Sequence, residues 1–125
     1  MDKAPLRITR REVLVLGAII LSVTALSTWW RNHQSAQHGP TVAALAKPGD
    51  IRMFSSVTCV YCTVARQWFV THQVAHSECF IERDADCLAQ YRAFQLPGTP
   101  LLLVRGQLQR GFSPAALYER LTAGS

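Results

Sequence analysis

Hydrophobic and polar positions change their rhythm along this chain. Val13 to Trp30 is an unbroken run of 18 residues without a charge, whereas from Ile51 onward apolar residues come in short runs broken by Gly, Pro and charged clusters. As a helix the early run is about 27 Å long at roughly 1.5 Å per residue, close to the roughly 30 Å hydrocarbon core of a bilayer. Lys3, Arg7, Arg10 and Arg11 precede it, and Trp29-Trp30-Arg31 closes it. Basic residues in front keep an N-terminus cytoplasmic, and an aromatic and basic end suits the far interface. The pattern predicts a basic segment 1–12, a single-pass transmembrane helix or signal-anchor over 13–30, and a periplasmic or otherwise extracytoplasmic chain after Arg31. A cleaved secretory signal with a site such as Ala25-Leu26-Ser27 is the competing reading, and Thr9-Arg10-Arg11-Glu12-Val13-Leu14 also resembles a twin-arginine export signal.

Asn32 to Pro48 is polar and Ala-rich, contains Gly39, Pro40 and Pro48, and shows no sustained apolar period. It reads as a linker over 31–49. Residues 50–125 then hold one small domain with a regular succession of elements. Ile51 to Phe54 is a short strand, and Cys59 to about Gln73 a helix with Val64, Ala65, Trp68 and Phe69 on one face. Cys79 to Glu82 is a second strand. Asp84 caps a helix through Phe94, with Leu88 and Tyr91 facing inward. Leu101 to Val104 and Gln107 to Arg110 flank Arg105-Gly106 as a hairpin. Ser113-Pro114 starts a last helix that buries Leu117 and Leu121. The expected order is β-α-β-α-β-β-α.

Charge adds little to this picture except orientation. Residues 51–125 carry seven Arg, no Lys and five acids, a net of +2 out of the chain's +5. The excess sits ahead of the domain, as suits an oriented anchor, and gives no reason to expect a nucleic-acid partner. The domain core spans roughly 70 residues, near the size where a core alone gives marginal stability and a covalent staple helps.

The chemistry lies in Thr58-Cys59-Val60-Tyr61-Cys62, between the first strand and the first helix of the domain. A Cys-x-x-Cys pair in this position puts its first sulfur at a helix N-terminus, where unpaired N–H groups and the helix dipole favour a thiolate. The second cysteine is near enough to close a small ring. Cys59 can then attack a disulfide, and Cys62 can resolve the mixed disulfide that forms. Val60 and Tyr61 tune the pair. The competing reading is a metal-binding or metal-delivery module, in which Cys79 and Cys87 complete a set of four ligands. Zinc pairs recur as short knuckles, and the seven residues between Cys79 and Cys87 do not make one.

These elements and motifs together resemble the glutaredoxin branch of the thioredoxin superfamily, from about Ile51 to Leu121. Cys59-Val60-Tyr61-Cys62 looks like the family's Cys-Pro-Tyr-Cys with valine in the proline slot, and Thr99-Pro100 falls where the family keeps a residue before a cis-proline. Arg110-Gly111-Phe112-Ser113-Pro114 is closer to the Gly-Phe-x-Pro of glutaredoxin-like redoxins that draw electrons from thioredoxin reductase. The family's Gly-Gly followed by acidic residues, which helps hold glutathione, is missing, which leaves glutathione dependence open. The resemblance implies a thioredoxin-like α/β domain and a thiol-disulfide oxidoreductase acting on protein thiols or disulfides. Cys59 and Cys62 are then catalytic, and Val60, Tyr61, Thr99 and Pro100 contact the substrate. It also implies a monomer that needs neither metal nor organic cofactor, fed by a membrane or thioredoxin-type electron donor. In such a fold the second strand is at the sheet edge and the second helix runs back along it. Cys79 and Cys87 would then meet as a structural disulfide, with free thiols or a second redox pair as alternatives. Tyr61 and Trp68 also read as packing residues, His72 and His76 as surface or capping residues, and His33 and His38 as linker.

Overall fold

The computed structural model describes residues 8–124. The chain falls into two compact units, one ending at Gln34 and the other beginning at Ser35. Helix α1, Arg10–Leu45, opens on a reciprocal cap in which Thr9 N–H donates to Glu12 Oε2 at 2.9 Å and Glu12 N–H donates to Thr9 Oγ1 at 3.4 Å. Within its apolar stretch the hydroxyls of Ser22, Thr24 and Thr28 donate at 2.8 Å to the carbonyls of Ala18, Ile20 and Thr24. No polar hydrogen of those side chains then needs water. Leu14, Leu21 and Leu26 are exposed. Among the described residues α1 is long and apolar enough to cross a bilayer, a test that a signal sequence near the N-terminus also passes.

Where a linker is expected over 31–49, the helix runs on through Gly39 and Pro40 to Leu45. A proline withholds one N–H from the helical ladder and disfavours helix locally. Burial of Val42 and Ala46 in the core of the second unit opposes that cost, at about 1.5–3 kcal/mol for a fully buried valine. Gly39 permits the close approach, since a Cβ there would collide with the His72 ring. His38, expected in the linker, is half-buried with its ring 5.6 Å from that of Tyr118.

The second unit continues with β1 (Ile51–Ser55), α2 (Val60–Thr71), β2 (Ser77–Phe80), α3 (Ala85–Ala93), β3 (Leu101–Val104), β4 (Gln107–Arg110) and α4 (Pro114–Ala123). This is the expected order of elements. The strands form one sheet in the order β2-β1-β3-β4, with β1 parallel to β2 and antiparallel to β3, and β3 antiparallel to β4. Alternation along the strands sends side chains to opposite faces. Ile51, Met53, Leu102 and Val104 pack against Ala65 and Phe69 of α2, Leu117 and Leu121 of α4, and Val42. Phe54 and Leu101 face the other way, into a smaller cluster with Cys87, Tyr91 and Phe94. The sheet is thus a middle layer between α2 with α4 on one side and α3 on the other.

Three local expectations shift. Strand β2 is Ser77–Phe80 rather than 79–82, because pairing with β1 runs from Arg52↔Ser77 to Ser55↔Phe80, and the chain turns once β1 ends. Val64 is exposed, and Cys62 takes its place on the buried face of α2 with Ala65 and Phe69. Arg105 does more than form the hairpin turn. Its guanidinium donates to Asp50 Oδ2, to the Leu121 carbonyl at 2.6 Å and to the Leu45 carbonyl at 3.2 Å, joining the ends of α4 and α1 to the turn.

Candidate active site

Cys59 is the N-cap of α2, in extended backbone, and its Sγ accepts from the Cys62 N–H at 3.0 Å. The first turn of a helix has N–H groups without intrahelical partners, and a side chain at the cap is aimed at them. A Cys59 thiolate in this place meets both those donors and the positive end of the helix dipole. Cys59 is half-buried, Cys62 is fully buried, and the two are joined as a disulfide. The asymmetry separates a partly exposed cysteine from a fully buried one. Val60 and Tyr61 are each 74% exposed, so Tyr61 is not the packing residue that its aromatic character suggests. Trp68 is, with its ring set edge-on to Phe69 and Phe112.

The register of the sheet brings the second motif to the same end. Phe54 pairs with Leu101, so the chain leaving β1 toward Cys59 and the chain entering β3 from Thr99-Pro100 lie at one edge of the central strands. The Thr99-Pro100 peptide is cis. Gly98, at φ +101, takes a conformation open to glycine, and its N–H donates at 2.9 Å to the Tyr91 hydroxyl, which donates back to the Gly98 carbonyl at 3.2 Å. Gly98, Thr99 and Pro100 line a cleft of about 380 Å³ together with Pro97, Arg110 and Gly111. Pro100 is buried, Thr99 half-buried, and the Gly111 N–H donates to the Pro100 carbonyl at 2.9 Å.

Two polar networks support this end of the fold. Arg66 on α2 makes a two-pronged ion pair with Glu78 on β2, at 2.7 and 2.6 Å, and Ser55 Oγ of β1 donates to the same carboxylate at 2.6 Å. Burial pushes the Glu78 carboxyl up, but the Arg66 and Ser55 hydrogen bonds and the Arg66 charge outweigh it and hold the group below its ordinary value. In the turn between β2 and α3, the Glu82 carboxylate accepts from Ser56 Oγ and, at 3.2 Å, from the Val57 N–H. The Ser56 hydrogen bond leads the causes that lower the Glu82 carboxyl. Cys79 and Cys87 form a second disulfide, with sulfurs 2.04 Å apart, joining the edge strand to the first turn of α3. His76 is half-buried and stacks on Phe69 with ring centroids 4.4 Å apart, and His72 is the C-cap of α2. Among the described residues no cluster of three or more His, Cys, Asp or Glu could hold a metal ion.

Glu82, Tyr91 and the Arg66–Glu78 pair escape a reading of the sequence as site supports. Glu82 lies 25 residues from Val57, and Arg66 lies 12 from Glu78 across a helix-to-strand crossover. No local spacing links them.

No protein-family model matches the chain, and no curated protein matches it in sequence. Among solved structures, a mutant of a thioredoxin-like protein aligns over 59% of this chain and 96% of its own, at 20% identity and a TM-score of 0.53. A mutated buckwheat glutaredoxin aligns over 74% of this chain and 94% of its own at 14% identity, with a TM-score of 0.49, too low to carry weight. At 20% identity the first match is a likeness of fold alone. With its four-stranded mixed sheet, its helices on both faces and the nearby cysteine pair, this chain has a thioredoxin-like α/β fold.

Proposed function

We propose that this chain is a membrane-anchored thiol-disulfide oxidoreductase of glutaredoxin-like type, acting on protein disulfides through Cys59 and Cys62. The observation that carries the reading is the difference between the two cysteines: Cys59 half-buried at the cap of α2, Cys62 fully buried one turn on. In the reducing direction the Cys59 thiolate attacks one sulfur of a substrate disulfide, and the other sulfur leaves as a thiolate that takes a proton. The Cys62 thiol gives up its proton and attacks Cys59 Sγ, which forms the Cys59–Cys62 bond and releases the second substrate thiolate. Two electrons pass to the substrate, and a thiol donor returns them. Val60 and Tyr61, both exposed, and the Thr99-Pro100 backbone supply the substrate contacts, the latter as an edge for an extended segment. The apolar span of α1 serves as the anchor, with the domain outside the cytoplasm.

The test uses the full chain in mild detergent. Cys62→Ser should accumulate a mixed disulfide with a protein substrate, located at Cys59 by mass spectrometry, and Cys59→Ser should accumulate none. Trapping through Cys62 instead reverses the roles, and trapping by neither variant removes the function.

A further inference from the structure

We infer that Glu82 is a positioning residue for the nucleophile: its carboxylate holds the Ser56-Val57 turn that delivers Cys59 to the head of α2, and the Cys79–Cys87 bridge keeps Glu82 in place. The inference rests on the redox reading of Cys59 and Cys62 and adds to it a residue outside both motifs.

Residues 56–58 join β1 to α2, and within the turn the contacts are long: Thr58 N–H to Ser56 Oγ at 3.5 Å, Ser56 Oγ to Thr58 Oγ1 at 3.3 Å, and Cys59 N–H to the Ser56 carbonyl at 3.2 Å. From outside the turn, Glu82 accepts from both the Ser56 hydroxyl and the Val57 N–H. A charged acceptor makes a hydrogen bond roughly twice as strong as a neutral one. Cys59 follows two residues later, and a thiolate there is favoured only while its sulfur stays aligned with the first-turn N–H groups.

Glu82 is itself set by its surroundings. Ile81 N–H donates to the Ser55 carbonyl at 3.0 Å, Arg83 and Asp84 N–H both donate to the Phe80 carbonyl at 3.1 Å, and Asp84 caps α3. The Cys79–Cys87 disulfide closes this stretch, eight residues apart in sequence, with Glu82 inside it. From the same helix Tyr91 holds Gly98, next to Thr99-Pro100. One bridged piece of chain therefore braces the loops on both sides of the sheet end where Cys59 lies.

The experiment reads the Cys59 thiol directly, in the full-length Cys62→Ser chain in mild detergent with Cys79–Cys87 intact by mass. Iodoacetamide alkylation of Cys59 is followed against pH. Glu82→Ala should raise the midpoint by about half a pH unit and, at pH values well below that midpoint, slow alkylation by about threefold. Glu82→Gln keeps an acceptor for Ser56 and Val57 and should not raise it. Replacing both Cys79 and Cys87 with Ala should produce the same rise, and adding Glu82→Ala to that background should add little. A Glu82→Ala midpoint that stays put or falls, or a rise in Glu82→Gln equal to that in Glu82→Ala, overturns the positioning role. Fully additive effects overturn the part given to the bridge. The Glu82 pair decides the role even if the cysteine variants fail to fold. A parent Cys59 that titrates near the free-thiol value of about 8.5 overturns the redox reading and this inference together, which separates that failure from the others.

Discussion

Removing the Arg105 guanidinium should destabilise the second unit by about 2–4 kcal/mol, far more than removing the charge of its ion-pair partner. Arg105→Met keeps most of the aliphatic stem and deletes the donors. The two helix-end carbonyls, Leu121 at 2.6 Å and Leu45 at 3.2 Å, each lose a charged donor. Such bonds are worth about 1.5–3 kcal/mol when well shielded. With the Arg105 side chain 22% exposed we take roughly 1 kcal/mol each, plus about 0.5 kcal/mol for a cation at two helix C-termini. The Asp50 pair, 20% exposed on its own side, adds about 0.5–1 kcal/mol. Asp50→Asn should therefore cost only about 0.5–1 kcal/mol, since Lys47 N–H still donates to that side chain at 3.0 Å. The assay is urea unfolding of the oxidised full chain in mild detergent, followed by near-ultraviolet circular dichroism. For a unit of this size 2–4 kcal/mol corresponds to a Tm lower by roughly 10–25 °C. Equal losses for Arg105→Met and Asp50→Asn would show that the helix-end carbonyls contribute nothing and refute the reasoning.

Glu78 makes stability depend on acid. Its folded-state carboxyl is held below its ordinary value, so the stabilisation is fully present above the unfolded value of about 4.3 and is lost as pH falls through the folded one. Glu78→Gln should lower stability at neutral pH and flatten the acid limb of the curve. An unchanged acid limb in that variant would assign the acid sensitivity to other carboxylates. For topology, a reporter fused after Ser125 that is active only outside the cytoplasm should be active, and a cytoplasm-only reporter should be silent. The opposite result would remove the anchored, exported arrangement.

The chain's local chemistry determined the succession of elements on its own. Asp84 and Ser113-Pro114 cap helices wherever the chain goes, because their oxygens satisfy N–H groups two or three residues away. Arg105-Gly106 between two alternating runs makes a hairpin by the same local logic, and Cys59-Val60-Tyr61-Cys62 puts two cysteines one turn apart at a helix start. Contacts distant in sequence decided the rest. Helix α1 continues through Gly39-Pro40 because Val42 and Ala46 are buried in a core formed by residues up to Leu121, against the local preference of proline. Strand β2 starts at Ser77 because β1 offers partners there, and Val64 yields its place on the buried face of α2 to Cys62. Glu82, Tyr91, Glu78 and Arg105 gain their roles from atoms 7 to 60 residues away, across turns, loops and separate elements. Side chains of ordinary surface type acquire such roles only when packing brings an acceptor or donor into range, a condition that no pattern along the chain encodes.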